Sequence, residues 1–163
     1  MAYVIQNQLI GSQPIATTDT VQNHPLGTRV NAKDPTYGEG EFVYLLGLAA
    51  TAVGTWVTFN QDDNTTALLA ANAIGPVAVA MSANVASQYG WYHVFGKAIG
   101  KALAAYADNG LVYATATAGS IDDAVVAGDR VKNAKGASDV GTPSTGLAEF
   151  EIQYPFMDDA SAS

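Results

Sequence analysis

The chain contains many short runs in which apolar and polar residues alternate, and glycine, proline or asparagine separates one run from the next. Alternation with a period of two places successive side chains on opposite faces of a β-strand. In residues 147–154, for example, Phe150, Ile152 and Tyr154 alternate with polar residues. We expect these three side chains to share one buried face. The pattern therefore predicts a mostly β protein.

Regularly spaced short strands with turns between them are typical of a small β-barrel or a sandwich. Gly96 predicts a tight bend between two neighbouring strands. Residues 67–72 fit a short helix or a loop, residues 104–109 fit a helical turn, and the high alanine content would also suit helices. The predicted strands are residues 28–33, 42–48, 55–60, 74–81, 89–95, 97–103, 111–116, 129–134 and 147–154.

Residues 1–26 have scattered apolar residues with glutamine, asparagine and threonine between them. Pro14 and Pro25 oppose a regular helix, and Asp19 is the one charged residue before Arg29. We interpret this segment as an extended N-terminal arm that becomes ordered against a partner. The alternative is a strand inside the same domain. Residues 27–156 are then a single β-rich domain, and residues 157–163 are a disordered acidic tail.

Composition excludes several classes of function. The net charge of −8 opposes nucleic-acid binding and contact with anionic membranes. Residues 67–86 are long enough to span a bilayer, but polar residues and the Gly75-Pro76 pair interrupt them, so we expect buried strands there. The absence of cysteine excludes disulfides and thiolate chemistry. Charged residues make up only 13% of the chain, which suggests that part of its surface meets other chains.

Catalytic patterns are weak. The two histidines, His24 and His93, lie far apart in sequence and lack an adjacent nucleophile motif. Adjacent aspartates occur three times, but in predicted loops or in the tail, where solvation is their ordinary role. No phosphate loop or calcium-loop spacing occurs. The sequence therefore predicts a protein that is not an enzyme and that holds no cofactor or metal.

Aromatic residues give a stronger signal than the charged ones. In residues 89–95, Tyr89, Trp91 and Phe95 share one face of the predicted strand, and Tyr92 and Val94 share the other. Both faces of this strand therefore need to be buried. Core packing explains one face. A second sheet or a contact with another subunit, where tyrosine and tryptophan are common anchors, would explain the other.

Five stretches of the chain, in this order, carry a family resemblance. They are residues 24–30 (HPLGTRV), 37–45 (YGEGEFVYL), 75–80 (GPVAVA), 87–92 (SQYGWY) and 113–119 (YATATAG). Together they resemble the capsid decoration, or cement, proteins that tailed phages encode beside the major capsid protein. The resemblance implies a β-rich fold without catalytic residues, a position on the outer capsid surface of the virion, and assembly as trimers or dimers at symmetry positions of the capsid lattice.

We therefore expect a small β-barrel or β-tulip-like sandwich with an extended arm. The expected protein is a homotrimer, with a dimer as the alternative, and it stabilises the capsid by bridging major capsid protein subunits. A rival hypothesis is a virion surface module that binds a host receptor or a carbohydrate through exposed tyrosine and tryptophan. Trp91, Tyr92 and His93 are predicted to form the subunit interface. The arm residues predicted to contact the capsid are Tyr3, Val4, Ile5, Leu9 and Ile10.

Overall fold

The computed structural model describes residues 4–5 and 13–159, and every regular element within these ranges is a β-strand. The prediction of a mostly β fold is confirmed. The strands are β1 (Val4–Ile5), β2 (Thr18–Asp19), β3 (Arg29–Asp34), β4 (Gly38–Leu46), β5 (Trp56–Phe59), β6 (Thr66–Leu68), β7 (Ile74–Ala80), β8 (Tyr89–Lys101), β9 (Leu111–Ala114), β10 (Ile121–Asp122), β11 (Arg130–Gly136) and β12 (Leu147–Asp158).

The strands form one antiparallel sheet with the order β1-β3-β4-β8-β7-β12-β11-β9-β10. The hairpin of β5 and β6 extends it beside β7, and β2 pairs with β8. The path ends at β1 and β10, which do not pair with each other. The sheet is therefore not closed. The barrel form of the prediction is wrong, and the sandwich-like form fits.

The segments for which a helix was considered contain none. Residues 67–72 contribute to β6 and then to a turn. Residues 104–109 form turns, and Ala105 and Asn109 have φ angles of 74° and 60°. These left-handed conformations interrupt a right-handed helix, so the predicted helical turn is wrong. Among the described residues, no helix has the length and apolarity needed to cross a membrane.

Strand β8 is continuous through Gly96, where the sequence predicted a bend between two strands. Gly96 pairs with Gly40 of β4 on one side and with Ile152 of β12 on the other. Its φ of 113° is one that residues with a side chain rarely adopt. A Cβ atom at this position would lie 2.4 Å from the Glu39 carbonyl oxygen. Glycine therefore allows close approach of the neighbouring backbone, and the ladders on both sides continue through this position.

Strand β12 changes partner at Tyr154. Residues up to Gln153 pair with β8, and residues from Phe156 onward pair with β7. Tyr154 has a φ of 51°, and both Gln153 and Tyr154 are exposed. This irregularity reverses the alternation, so Tyr154 leaves the buried face that Phe150 and Ile152 occupy. The predicted burial of Tyr154 is wrong, because a bulge cannot be read from alternation alone.

The interior consists of three apolar clusters, and β8 contributes to all of them. The largest surrounds Trp56 and Phe150. A second contains Trp91 and lies under residues 13–26, whereas a third contains Tyr92 and is covered by β5. From Trp91 to Val94, both faces of the aromatic strand are therefore buried within one chain. Phe95 is 40% exposed and follows an irregularity in the pairing of β8 with β4, so its predicted burial on the face of Trp91 is wrong.

Residues 13–26, the described part of the predicted arm apart from β1, lie against the sheet. Ile15 is 1% exposed and packs in the cluster that contains Trp91. The Tyr44 hydroxyl and the Gln13 amide both donate hydrogen bonds to the Asp19 carboxylate. Burial, together with the bond to Asp19, raises the pKa of Tyr44 well above its ordinary value. In the predicted tail, Asp158 ends β12, and residues 160–163 lie outside the described residues.

We predict that Ile15→Ala lowers the free energy of unfolding by about 2–5 kcal/mol, because it leaves a cavity over Trp91. Val21→Ala is the matched control, since Val21 is 70% exposed and its truncation should change stability by less than about 0.5 kcal/mol. Urea unfolding followed by tryptophan fluorescence measures both. Equal stability of the two variants would show that residues 13–26 do not seal this cluster.

Candidate interaction surface

The three residues predicted as a subunit interface lie in the interior. Trp91, Tyr92 and His93 are each 0% exposed. The Trp91 ring lies 5.0 Å from that of Tyr44, and the His93 ring stacks on Phe42 at 4.4 Å. The prediction does not hold for these side chains, because the same chain covers both faces of β8 and leaves them no surface for a second copy.

His93 is a packed core residue. Its Nε2 donates a hydrogen bond to the Phe95 carbonyl oxygen at 2.8 Å, which assigns the proton to that nitrogen. A Cβ atom at Gly40 would lie 2.6 Å from the same Nε2, so glycine makes room for the ring. Burial lowers the pKa of His93 to about 4. The ring is therefore neutral at neutral pH.

Only two of the five residues predicted to contact the capsid lie among the described residues. Val4 and Ile5 form β1 and pair with Lys33 and Ala32 of β3. The Val4 residue is 66% exposed. Tyr3, Leu9 and Ile10 lie outside the described residues. Strand β1 ends the sheet path, so one of its edges has no strand partner among the described residues.

Within the adjacent aspartate pairs, Asp63, Asp122 and Asp123 accept hydrogen bonds from backbone amides. The Asp63 carboxylate accepts bonds from both the backbone and the hydroxyl of Thr65, and these bonds lower its pKa. The Asp123 carboxylate accepts from the Ala107 amide. Within the described ranges, no group of three or more histidine, aspartate or glutamate side chains is arranged to hold a metal.

One outer face of the sheet brings together residues from five strands. Residues directly opposite each other on antiparallel strands have their side chains on the same side of the sheet. One row of such residues runs across β3, β4, β8 and β12. A neighbouring row, two residues further along, joins β8, β12 and β11. We call this surface the charge-balanced face. Its residues are Arg29, Asn31, Lys33, Glu39, Glu41, Phe95, Lys97, Lys135, Glu149, Glu151, Gln153 and Tyr154.

The charge of this face differs from that of the rest of the molecule. All four glutamates of the chain lie on it, together with four of the seven lysines and arginines, so its net charge is zero. The remaining eleven carboxylates are aspartates, and they lie elsewhere with only three cations. The whole charge of −8 therefore belongs to residues outside this face, of which Asp19, Asp34 and Asp129 are buried.

Three ion pairs cross the strands of this face. Arg29 pairs with Glu41 at 2.7 Å, and Lys97 pairs with Glu149 at 2.6 Å. Lys135 pairs with Glu151 at 3.3 Å. All three cations are more than one third exposed, so each pair contributes at most about 1 kcal/mol to stability.

Aromatic side chains lie at the border of the face, beside a cleft that Arg29 and Tyr154 help to line. Tyr154 and Phe95 are 49% and 40% exposed, and their ring centroids lie 5.4 Å apart. The Tyr154 hydroxyl donates a 2.6 Å hydrogen bond to Glu41, which raises the pKa of Tyr154. The Arg29 guanidinium lies 5.7 Å from the centre of the Tyr154 ring. Phe156, also 40% exposed, continues the aromatic surface along β12.

A groove begins beside these aromatic residues. A cleft of about 160 Å³ is bounded by Tyr154 and Phe156, and it shares Phe59, Gln61 and Pro76 with a larger cleft. The larger cleft, of about 480 Å³, lies between the hairpin of β5 and β6 and the start of β7. Its walls combine five hydroxyl and amide residues with Asp62 and with apolar residues such as Ile74. Both tryptophans of the chain are buried, so the exposed rings next to the groove are phenylalanine and tyrosine.

Comparison of the chain with family models, with curated proteins and with solved structures found no match. The resemblance of the sequence motifs to capsid decoration proteins therefore stays a prediction. The function has to be argued from the surfaces of this molecule.

We predict that His93 makes the fold sensitive to acid. Its pKa is about 4 in the folded chain and 6.5 in the unfolded chain, so the unfolded state takes up the proton first as pH falls. Stability is lost between pH 6.5 and 4, by about 3 kcal/mol at the lower limit. His93→Gln should remove this part of the pH dependence in urea unfolding. Val94→Ala, a core truncation without a titrating group, should retain it, and equal pH profiles for all three proteins would contradict the assignment.

Proposed function

We propose that this chain is a non-enzymatic structural protein of a phage head, which decorates and stabilises the outer capsid surface by bridging major capsid protein subunits. The ordered sequence motifs described above support the family. The two histidines, which could serve as the base of a serine- or threonine-type nucleophile, are both buried in aromatic packing. The exposed groups include apolar, aromatic and paired charged side chains, which suit contact with another protein.

The observation that carries the proposal is the edge strand β1. It is held to the sheet by two residue pairs and presents the apolar Val4 side chain outward. An unpaired strand edge can accept a further strand from a partner, and main-chain hydrogen bonds then provide affinity without any catalytic group. The capsid protein is the partner that the family resemblance implies, and the arm around β1 is its proposed contact.

Binding becomes stronger when several copies of this contact form at the same time. A single copy of this arm offers few apolar side chains. An oligomer that engages several capsid subunits at once multiplies weak contacts through effective concentration. Binding that occurs only on the assembled shell also stabilises the shell by linkage. The protein then needs no tight contact at any one subunit.

We predict that Val4→Asp weakens binding to empty heads, assembled from the major capsid protein encoded with this chain, by about tenfold or more. Burial of a valine is worth roughly 1.5–3 kcal/mol, and about 1.4 kcal/mol is a factor of ten. Cosedimentation with the heads measures the change. Val125→Asp is the matched control, since Val125 is 78% exposed and lies in a loop between β10 and β11.

The full-length variant is a better test than a long deletion. Removal of residues 1–22 would also remove Ile15 and Asp19, which cover the core around Tyr44 and Trp91. Loss of head binding would then report unfolding. Undiminished head binding by Val4→Asp, with the unfolding midpoint unchanged, would refute the role of β1.

A second candidate function is binding of a host-surface carbohydrate, and the groove favours it. Side chains of Thr58, Asn60, Gln61 and Thr65 offer neutral donors and acceptors, and the Asp62 carboxylate adds a charged acceptor, which together suit the hydroxyl groups of a sugar. Exposed aromatic rings lie at the end of the groove.

We predict, for this candidate, that the free protein is retained on a glycan array and that Gln61→Ala reduces retention several-fold. Gln153→Ala, an exposed glutamine outside the groove, is the control and should leave retention unchanged. Absence of retention for any glycan would eliminate the carbohydrate hypothesis, and it would leave the head-binding proposal intact.

A further inference from the structure

We propose that the charge-balanced face is the surface through which two copies of this chain associate, related by a two-fold axis. This inference goes beyond the proposed function, because it identifies how copies contact each other and does not depend on binding to heads. It also replaces Trp91, Tyr92 and His93, whose burial removes them from any interface between subunits.

The distribution of charge favours this face as the contact between two copies. Two chains of net charge −8 repel each other, and the repulsion acts over a Debye length of about 8 Å at physiological salt. Most of the surface carries aspartates in large excess over cations. The charge-balanced face has no net charge, so two copies can approach there without that penalty.

The face also offers the residue types that anchor protein interfaces. Tyrosine, phenylalanine and arginine are enriched where binding energy concentrates, near the centre of an interface and inside a polar rim. Here the Phe95 and Tyr154 rings lie in contact, with Arg29 over the tyrosine. Lysines and glutamates lie next to these three side chains on one side. An aromatic cluster flanked by charged residues is a combination that a partner surface can bury.

The pattern of charges favours a copy of the same chain over an unrelated partner. A two-fold axis places each residue opposite a partner from the same patch, so the patch must be complementary to itself. Lysines and glutamates alternate across β8, β12 and β11, in the row Lys97, Glu151, Lys135. If the two copies are offset by the width of one strand, lysines of one copy therefore lie opposite glutamates of the other. The exposed ion pairs within each chain contribute little stability, so they can exchange across the interface at small cost.

The experiment is measurement of molar mass in solution for the purified full-length chain, by light scattering during gel filtration over a range of concentrations. We expect wild-type protein to reach twice the 16.8 kDa chain mass at high concentration. Lys135→Glu and Glu151→Lys should each remain at the mass of one chain, because each leaves an excess of one sign on the face. An equimolar mixture of the two variants should regain the doubled mass, since their faces are then complementary.

Arg130→Glu is the matched control. Arg130 lies on the same strand as Lys135, near its other end, and the substitution changes the net charge by the same amount. It should dimerise like wild type. Circular dichroism and urea unfolding show whether each variant folds, and all of these positions are exposed or half-exposed.

Three results would overturn the inference. They are a wild-type chain that stays monomeric at every concentration, an oligomer that neither face variant disturbs, and a mixture of the two variants that fails to associate. None of these results bears on Val4 or on head binding, which is measured separately. Loss of head binding with dimerisation intact would count against the proposed function alone.

Discussion

The burial of both faces of β8 is the constraint on which the rest of the structure depends. Trp91 and Tyr92 are neighbours in sequence, so their side chains point to opposite sides of the sheet, and both are fully buried. Other parts of the chain must therefore cover β8 on both sides, and residues 13–26 lie over one face and the strand β5 over the other. The apolar clusters and the position of the N-terminal segment follow from this requirement.

The exposed part of β8 on the charge-balanced face directly follows the part that is buried on both sides. Beyond Val94, the outer side of β8 carries Phe95, and no other strand covers it. The bulge in β12 then turns Tyr154 onto the same side, next to Phe95 and within hydrogen-bonding distance of Glu41. An exposed aromatic pair thus results from a backbone irregularity and not from the alternation of the strand. Both rings lie outside the three apolar clusters of the core.

The separation of charge has a physical origin in side-chain length. Aspartate has a short side chain that accepts hydrogen bonds from nearby backbone amides, so it is favoured in turns. Asp34 accepts bonds from Thr36 and Tyr37, and Asp63 accepts from Thr65. The longer glutamate pairs with cations on neighbouring strands. Turn chemistry therefore concentrates negative charge at the ends of strands and leaves one broad sheet face neutral.

Period-two alternation and turn residues determined most of the strands in advance, because both signals are local: the predicted residues 28–33 and 74–81 lie within one or two residues of β3 and β7. The same signals also predicted that both faces of the aromatic strand are buried. Tertiary structure alone decided that Gly96 lies within a continuous strand, that β12 changes partner at Tyr154, and that residues 13–26 close the core. These features depend on ladders between segments far apart in the sequence. The free energy that stabilises these features comes from contacts with a partner strand. A local sequence pattern holds no information about that strand.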